Sequence, residues 1–174
     1  MPTITSFNIN PASASIGSPF AISFTVSDSG GPGLQKVVLR RTSGDGSSSD
    51  PGWQDIQSQT VSGTASTSGT FDDTPPATGT YWYGMAVFDT AGNSEDERQA
   101  DLGPKQVTVT SPQPIINLST ASLEFGTLNV GQTLVMSFYI RDPGTADLHV
   151  SAITFPPGFS GNWNAGTVAA NVST

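Results

Sequence analysis

The chain contains no cysteine, which excludes a disulfide framework, a thiolate nucleophile and a cysteine-based metal site. It has one histidine, and six lysines and arginines stand against 14 aspartates and glutamates, for a formal charge of −8. A surface of that sign repels phosphate backbones and anionic lipid headgroups, so nucleic acid is not an expected partner. Charged residues make up 11% of the sequence, low for a helical protein or a cytosolic enzyme rich in Glu and Lys. There is also no run of about 18 apolar residues and no basic segment leading into a hydrophobic one, so no membrane insertion and no signal peptide are expected within the chain.

What fills the sequence instead is glycine (19), proline (13), serine and threonine, with short alternating apolar runs. This composition favours all-β structure, and 174 residues exceed the roughly 100 of a single sandwich, which points to two small domains. Phe20, Ile22, Phe24 and Val26 alternate with Ser23, Thr25 and Ser27, the period of a half-buried strand. Val37 and Leu39 alternate with Lys36, Val38 and Arg40 in a second strand, and Asp28 to Gly33 makes the turn between them. Residues 42–52 form a polar loop, Trp53 to Ile56 starts a short strand, and Thr60 to Phe71 has the weak alternation of exposed or edge strands. Tyr81, Tyr83, Met85 and Val87 supply the clearest inward face, opposite Trp82, Ala86 and Phe88, and that strand closes at Asp89 to Asn93. Val107 and Val109 give the last strand of a first domain, residues 1–110.

The prolines of Ser111-Pro112-Gln113-Pro114 cannot donate ladder hydrogen bonds and stiffen a linker at 111–114. Beyond it the opening repeats: Ile16, Gly17, Phe20, Ile22, Phe24, Val26 and Asp28 match Val130, Gly131, Leu134, Met136, Phe138, Ile140 and Asp142 at one constant offset. Only 34 residues follow Ile140, so a second domain at 115–174 lacks strands that the first one has.

Few residues invite chemistry. His149, between Leu148 and Val150, is expected to face solvent from a strand. Asp72, Asp73, Glu95, Asp96 and Glu97 offer carboxylates, but acid/base work needs a concave apolar site, which Gly- and Ser-rich loops do not promise. Asp28 and Asp89 should lie at one end of a sandwich, where Asn93 and Glu95 could add oxygen ligands for calcium. Ordinary Asx-turn capping accounts for the same residues, and no dense D-x-D-x-D pattern occurs. Tyr81, Trp82, Tyr83 and Trp53 could stack a sugar ring, but alternation turns Tyr81 and Tyr83 inward, Tyr81 as a tyrosine corner. Trp163 carries the same ambiguity, and the Asn-x-Ser sequons at Asn117 and Asn171 matter only in a glycosylating host. No catalytic, cofactor or metal residue is assigned.

The second segment resembles the abnormal-spindle and hydin (ASH) type of immunoglobulin-like domain and its bacterial choice-of-anchor D relatives. The match runs through Leu123, Phe125, Gly126, Val130 and Gly131, then Gly144 to Leu148 (GTADL), then Gly158, Phe159 and Ser160. It departs at Asp142-Pro143, where the family usually places Asn before its Gly-Thr. Residues 1–110 resemble bacterial immunoglobulin-like and fibronectin-type repeats, through Gly79 to Tyr83 (G-T-Y-x-Y) and Asp89 to Asn93 (D-x-A-G-N). Together these imply two immunoglobulin-like β-sandwiches in tandem, the second incomplete. They also imply a non-catalytic spacer, adhesion or scaffold role in a larger exported bacterial protein, extracellular, on the cell surface or in the periplasm. A carbohydrate-binding accessory module of a secreted hydrolase is the alternative, with exposed Trp53 and Trp82 as its mark. The open edges of residues 115–174 imply a protein partner or self-association by strand addition.

Overall fold

A computed structural model describes residues 1–173, with side chains through Asn171; Thr174, the end of the expected second domain, lies outside them. The chain divides into two units, Met1–Ser111 and Pro112 onward.

Unit 1 carries β1 (Thr3–Asn10), β2 (Ser13–Ser15), β3 (Phe20–Ser27), β4 (Leu34–Thr42), β5 (Gln54–Gly63), β6 (Thr67–Asp73), β7 (Gly79–Asp89), β8 (Ser94–Asp96) and β9 (Lys105–Thr110). One sheet has the order β1-β3-β6; the other runs β2-β9-β7-β4-β5, with β8 added to β7. All pairings are antiparallel except β2 with β9, where Ser13, Ala14 and Ser15 run parallel to Thr108, Val109 and Thr110. This is an immunoglobulin-like sandwich whose larger sheet has β2 and β5 as its edge strands.

The alternation of β3 puts Phe20, Ile22, Phe24 and Val26 into the core, each at most 1% exposed. From the opposite sheet β7 presents Tyr83, Met85 and Val87, and β9 presents Val107. Phe20 meets Tyr83 with ring centroids 6.4 Å apart, and Phe24 meets Phe71 of β6 at 5.4 Å. Each such side chain, taken wholly out of water, contributes about 1.5–3 kcal/mol before entropy is charged against it.

Two details differ from the pattern in the sequence. The strand expected to be short at Trp53 to Ile56 is β5, ten residues long and ending at Gly63. Val38 and Ala86, on the outward face, are buried and lie side by side in the β4–β7 ladder.

Unit 2 carries β10 (Asn117–Leu118), β11 (Ile140–Asp142), β12 (Leu148–Val150), β13 (Gly166–Val168) and β14 (Val172–Ser173), in sheets β10-β11-β14 and β12-β13. The repeat survives here as register. Asn117 pairs with Arg141 and Leu118 with Ile140, just as Thr3 pairs with Ser27 and Ile4 with Val26 at the repeat offset. What does not survive is the length of the strand: residues 119–139 contain none, so Leu134, Met136 and Phe138, expected in a strand like that of Phe20 to Val26, lie outside one. Leu134 is 44% and Met136 40% exposed. Among the described residues the second sheet of unit 2 has only the two short strands β12 and β13, so the apolar stripe has little facing surface to hold it extended.

Candidate functional site

The polar groups buried in unit 1 sit at strand ends, and each is consumed locally. Asp28 follows β3; its Oδ2 accepts the Gly33 N–H at 2.8 Å, while the Met1 ammonium stands 3.2 Å from Oδ1 as an ion pair without hydrogen-bond geometry. Asp89 ends β7 and accepts the N–H groups of Ala91 (2.9 Å) and Asn93 (2.8 Å), plus the Asn93 side-chain amide at 2.7 Å. Burial pushes the Asp89 pKa up, but the bonds from Asn93 and Ala91 outweigh it, and the net position is below the usual range. The Thr90 N–H donates to the Gly33 carbonyl, so the two turns meet at one end of the sandwich. This is Asx-turn geometry. Asn93 gives its amide to Asp89, Glu95 accepts the Ile4 N–H, and no three acidic or histidine side chains gather among the described residues.

Glu97, named above among the carboxylates, is enclosed: it is 1% exposed, lying against Gly84 of β7, where a Cβ would come within 2.7 Å of its carboxylate. Oε2 accepts the Met85 N–H at 2.9 Å and Oε1 accepts Arg98 at 2.7 Å. Burial raises its pKa against these bonds. With both oxygens engaged, the group is built as a tie between the segment after β8 and the outer face of β7. Gly84, the one small residue in Tyr-Trp-Tyr-Gly-Met, is the signal that could have found it.

The same arginine settles the tryptophans. Arg98 lies 5.1 Å over the Trp53 ring and donates to the Gly46 carbonyl, and the Trp53 indole N–H donates to Ser47 at 2.8 Å. Gly46, at φ +73°, presses its backbone on Trp82, where any Cβ would fall 2.4 Å from the ring. Asp50 holds this loop by accepting from Gly52 N, Thr42 Oγ1 and Gly46 N, and these bonds, the Gly52 one foremost, lower its pKa. Both indoles are half-buried with faces already occupied, and Lys36 sits 4.9 Å over Phe88. The exposed pair that the carbohydrate alternative needs is not there.

Asp73 joins strand ends across the sandwich: its Oδ2 accepts Arg41 and the Tyr83 hydroxyl (2.6 Å). Burial and then Asp73 push the Tyr83 phenol well above its ordinary value. Burial lowers the Arg41 pKa and Asp73 raises it, with a net rise. Tyr81 forms the expected corner, donating to the Ala77 carbonyl at 3.0 Å. Asp72 is exposed, and His149 faces solvent on β12, with Nδ1 2.9 Å from Thr167 Oγ1 on β13.

In unit 2 the feature is an open groove of about 960 Å³ with a mixed lining, Phe125, Met136, Phe138 and Trp163 beside Ser137 and Asn162. Phe125 and Phe159 meet edge to face at 5.3 Å, and Trp163 packs on Gly166. Aromatic and aliphatic side chains share this lining with hydroxyl and amide groups, and no acidic or basic side chain is among them.

The architecture is that of an all-β chain with an immunoglobulin-like sandwich. No protein-family model matches the chain, and no curated protein matches it. Similar solved structures include a β-glucosidase from Erythrobacter marinus, at TM-score 0.46 and 12% identity over 63% of this chain, which spans 15% of that enzyme. Another is the CARDB domain of a Pyrococcus furiosus protein solved with di-metal ions, at TM-score 0.41 and 17% identity, covering 64% of this chain and 94% of that one. A chaperone–tip adhesin complex of CFA/I fimbriae aligns with 98% of this chain and 84% of its own at TM-score 0.30 and 12% identity. At these values no activity passes from them to this chain.

Proposed function

We propose that the chain is a non-catalytic structural and interaction segment of a larger secreted or surface-exposed bacterial protein. Unit 1 serves as a self-contained spacer, and unit 2, an ASH-like domain, associates with protein through the exposed apolar side chains around its groove. The observation that carries this reading is the contrast at matched positions: Phe20 and Ile22 are sealed, whereas Leu134 and Met136, their counterparts, stand 44% and 40% exposed. Apolar surface of that extent, gathered around one groove, marks a packing surface more often than a solvated one. The absence of an enzymatic role is supported by the buried carboxylates, each engaged by backbone or arginine.

Light scattering on the intact chain tests the proposal, together with amide exchange over residues 115–173. The expected result is a concentration-dependent dimer whose residues 119–139 gain protection on association, and Met136→Lys abolishes both. A monomer at 100 μM with those amides unprotected at every concentration overturns the interacting role and leaves a passive spacer.

A further inference from the structure

Gln113, within the 111–114 segment read as a proline-stiffened linker, and Ile115 just after it are hydrogen-bonded into unit 2. The Gln113 carbonyl accepts the N–H groups of Thr145 (2.8 Å) and Ala146 (3.3 Å), and the Gln113 N–H donates to Thr145 Oγ1 at 3.0 Å. Two residues on, the Ile115 N–H donates to Oδ1 of Asp142 at 2.9 Å, the same oxygen that accepts Gly144 N–H at 2.8 Å. Asp142 is wholly buried. Gly144 is what lets the chains approach, since a Cβ there would lie 2.3 Å from the Gln113 carbonyl oxygen and 2.7 Å from the Ile115 nitrogen. Its φ is not in the left-handed region, so the glycine answers to space and not to backbone conformation.

Unit 1 shares one part of the arrangement, the buried aspartate facing an incoming nitrogen, there as an ion pair and not a hydrogen bond. Asp28 matches Asp142 and Met1 matches Ile115 at the repeat offset, and the Met1 nitrogen stands 3.2 Å from Asp28 Oδ1. In both units, then, a wholly buried aspartate at the end of a strand (β3, β11) faces the main-chain nitrogen of the residue that leads into the paired strand (β1, β10), two residues before the ladder starts at Thr3 or Asn117. A buried carboxylate oxygen is costly unless it accepts hydrogen bonds, so the aspartate rewards one position of the incoming chain and penalises others.

We infer that Asp142, Gly144 and Thr145 form a chain-entry anchor. It captures Gln113 to Ile115 as part of unit 2 and confines bending of the connection to the bonds around Ser111 and Pro112. This deepens the spacer reading, because a spacer's reach is set by how much of its linker is free.

Amide exchange on the full chain tests the anchor. In the parent protein Ile115, Thr145 and Ala146 exchange at least about tenfold slower than free peptide. Gly144→Ala, which drives a methyl into the linker, and Thr145→Val, which removes the acceptor for Gln113, bring Ile115 to near the free-peptide rate, while β12 and β13 keep their protection. If Gly144→Ala also strips β12 and β13, Thr145→Val alone decides. Free-peptide exchange at Ile115 in the parent protein, or unchanged protection there in Thr145→Val, overturns the anchor. The readout is independent of association: loss of the dimer would sink the interacting role and leave the anchor standing, and the reverse also holds.

Discussion

Phe20, Ile22 and Phe24 in unit 1 and Leu134, Met136 and Phe138 in unit 2 occupy matched places in the repeat, with the same alternation and the same pairing register just beyond them. The first three are sealed; of the second, Leu134 and Met136 are exposed and Phe138 is half-buried. The difference lies outside both segments, in β7 and β9, which bring Tyr83, Met85, Val87 and Val107 onto the first stripe. A period of two declares which face of a strand is apolar. Whether that face closes depends on residues some 60 to 90 positions further along.

The sharpest way to break this comparison is to delete one aromatic from each stripe. Phe24→Ala should destabilise unit 1 by about 3–5 kcal/mol, whereas Phe138→Ala should cost unit 2 below about 1 kcal/mol, because a groove already open loses little by growing. Urea unfolding followed by Trp53 and Trp82 in unit 1, and by Trp163 in unit 2, reads the two separately; equal costs would mean that unit 2 has a closed core. Next in size, Tyr83→Phe leaves the part-buried Asp73 with Arg41 as its partner and should cost unit 1 about 1–3 kcal/mol, with no change in unit 2. Tyr81→Phe, which removes the corner bond to Ala77, should cost about 1 kcal/mol in the same assay.

The smallest effect is a slope. Glu97 has its folded pKa raised above the ordinary 4.5, so folding takes up its proton more readily than the unfolded chain does. That contribution to stability is fully present below 4.5 and is lost as pH rises through the raised value. Glu97→Gln removes this dependence, so the stability of the parent unit 1 relative to the variant should fall as pH rises from about 4 to about 7. A difference that stays flat across that range would show the carboxylate to be as well solvated as in the unfolded chain.

The all-β class, the inward faces of β3, β7 and β9, the Asp28 and Asp89 turns and the tyrosine corner were legible because each is carried by a local period or a local turn signal. The repeat was legible too, and its true content proved to be the ladder register at Asn117–Leu118. Burial of Glu97 was not, since its neighbours Asp96 and Arg98 are polar and its apolar surroundings come from β7. The half-buried state of Trp53 and Trp82 was hidden for the same reason: alternation placed Trp82 outward, where the folded loop through Gly46 covers it, and the distant Arg98 covers Trp53. Nor could spacing show that Gln113 bonds across 32 positions to Thr145.

The parallel pairing of β2 with β9 bears on how unit 1 would carry tension. A pull on the amino-terminal side enters β2 at Ser13, and a pull on the carboxyl-terminal side leaves β9 at Thr110, so opposed forces slide the two strands along their shared axis. Bonds that cross that axis are then strained together instead of opening one after another. With Ile16 N–H to the Thr110 carbonyl and Thr108 N–H to the Ala12 carbonyl flanking the ladder, this short seam is loaded in shear between the end of β1 and Thr110, small in area and with its bonds sharing the load.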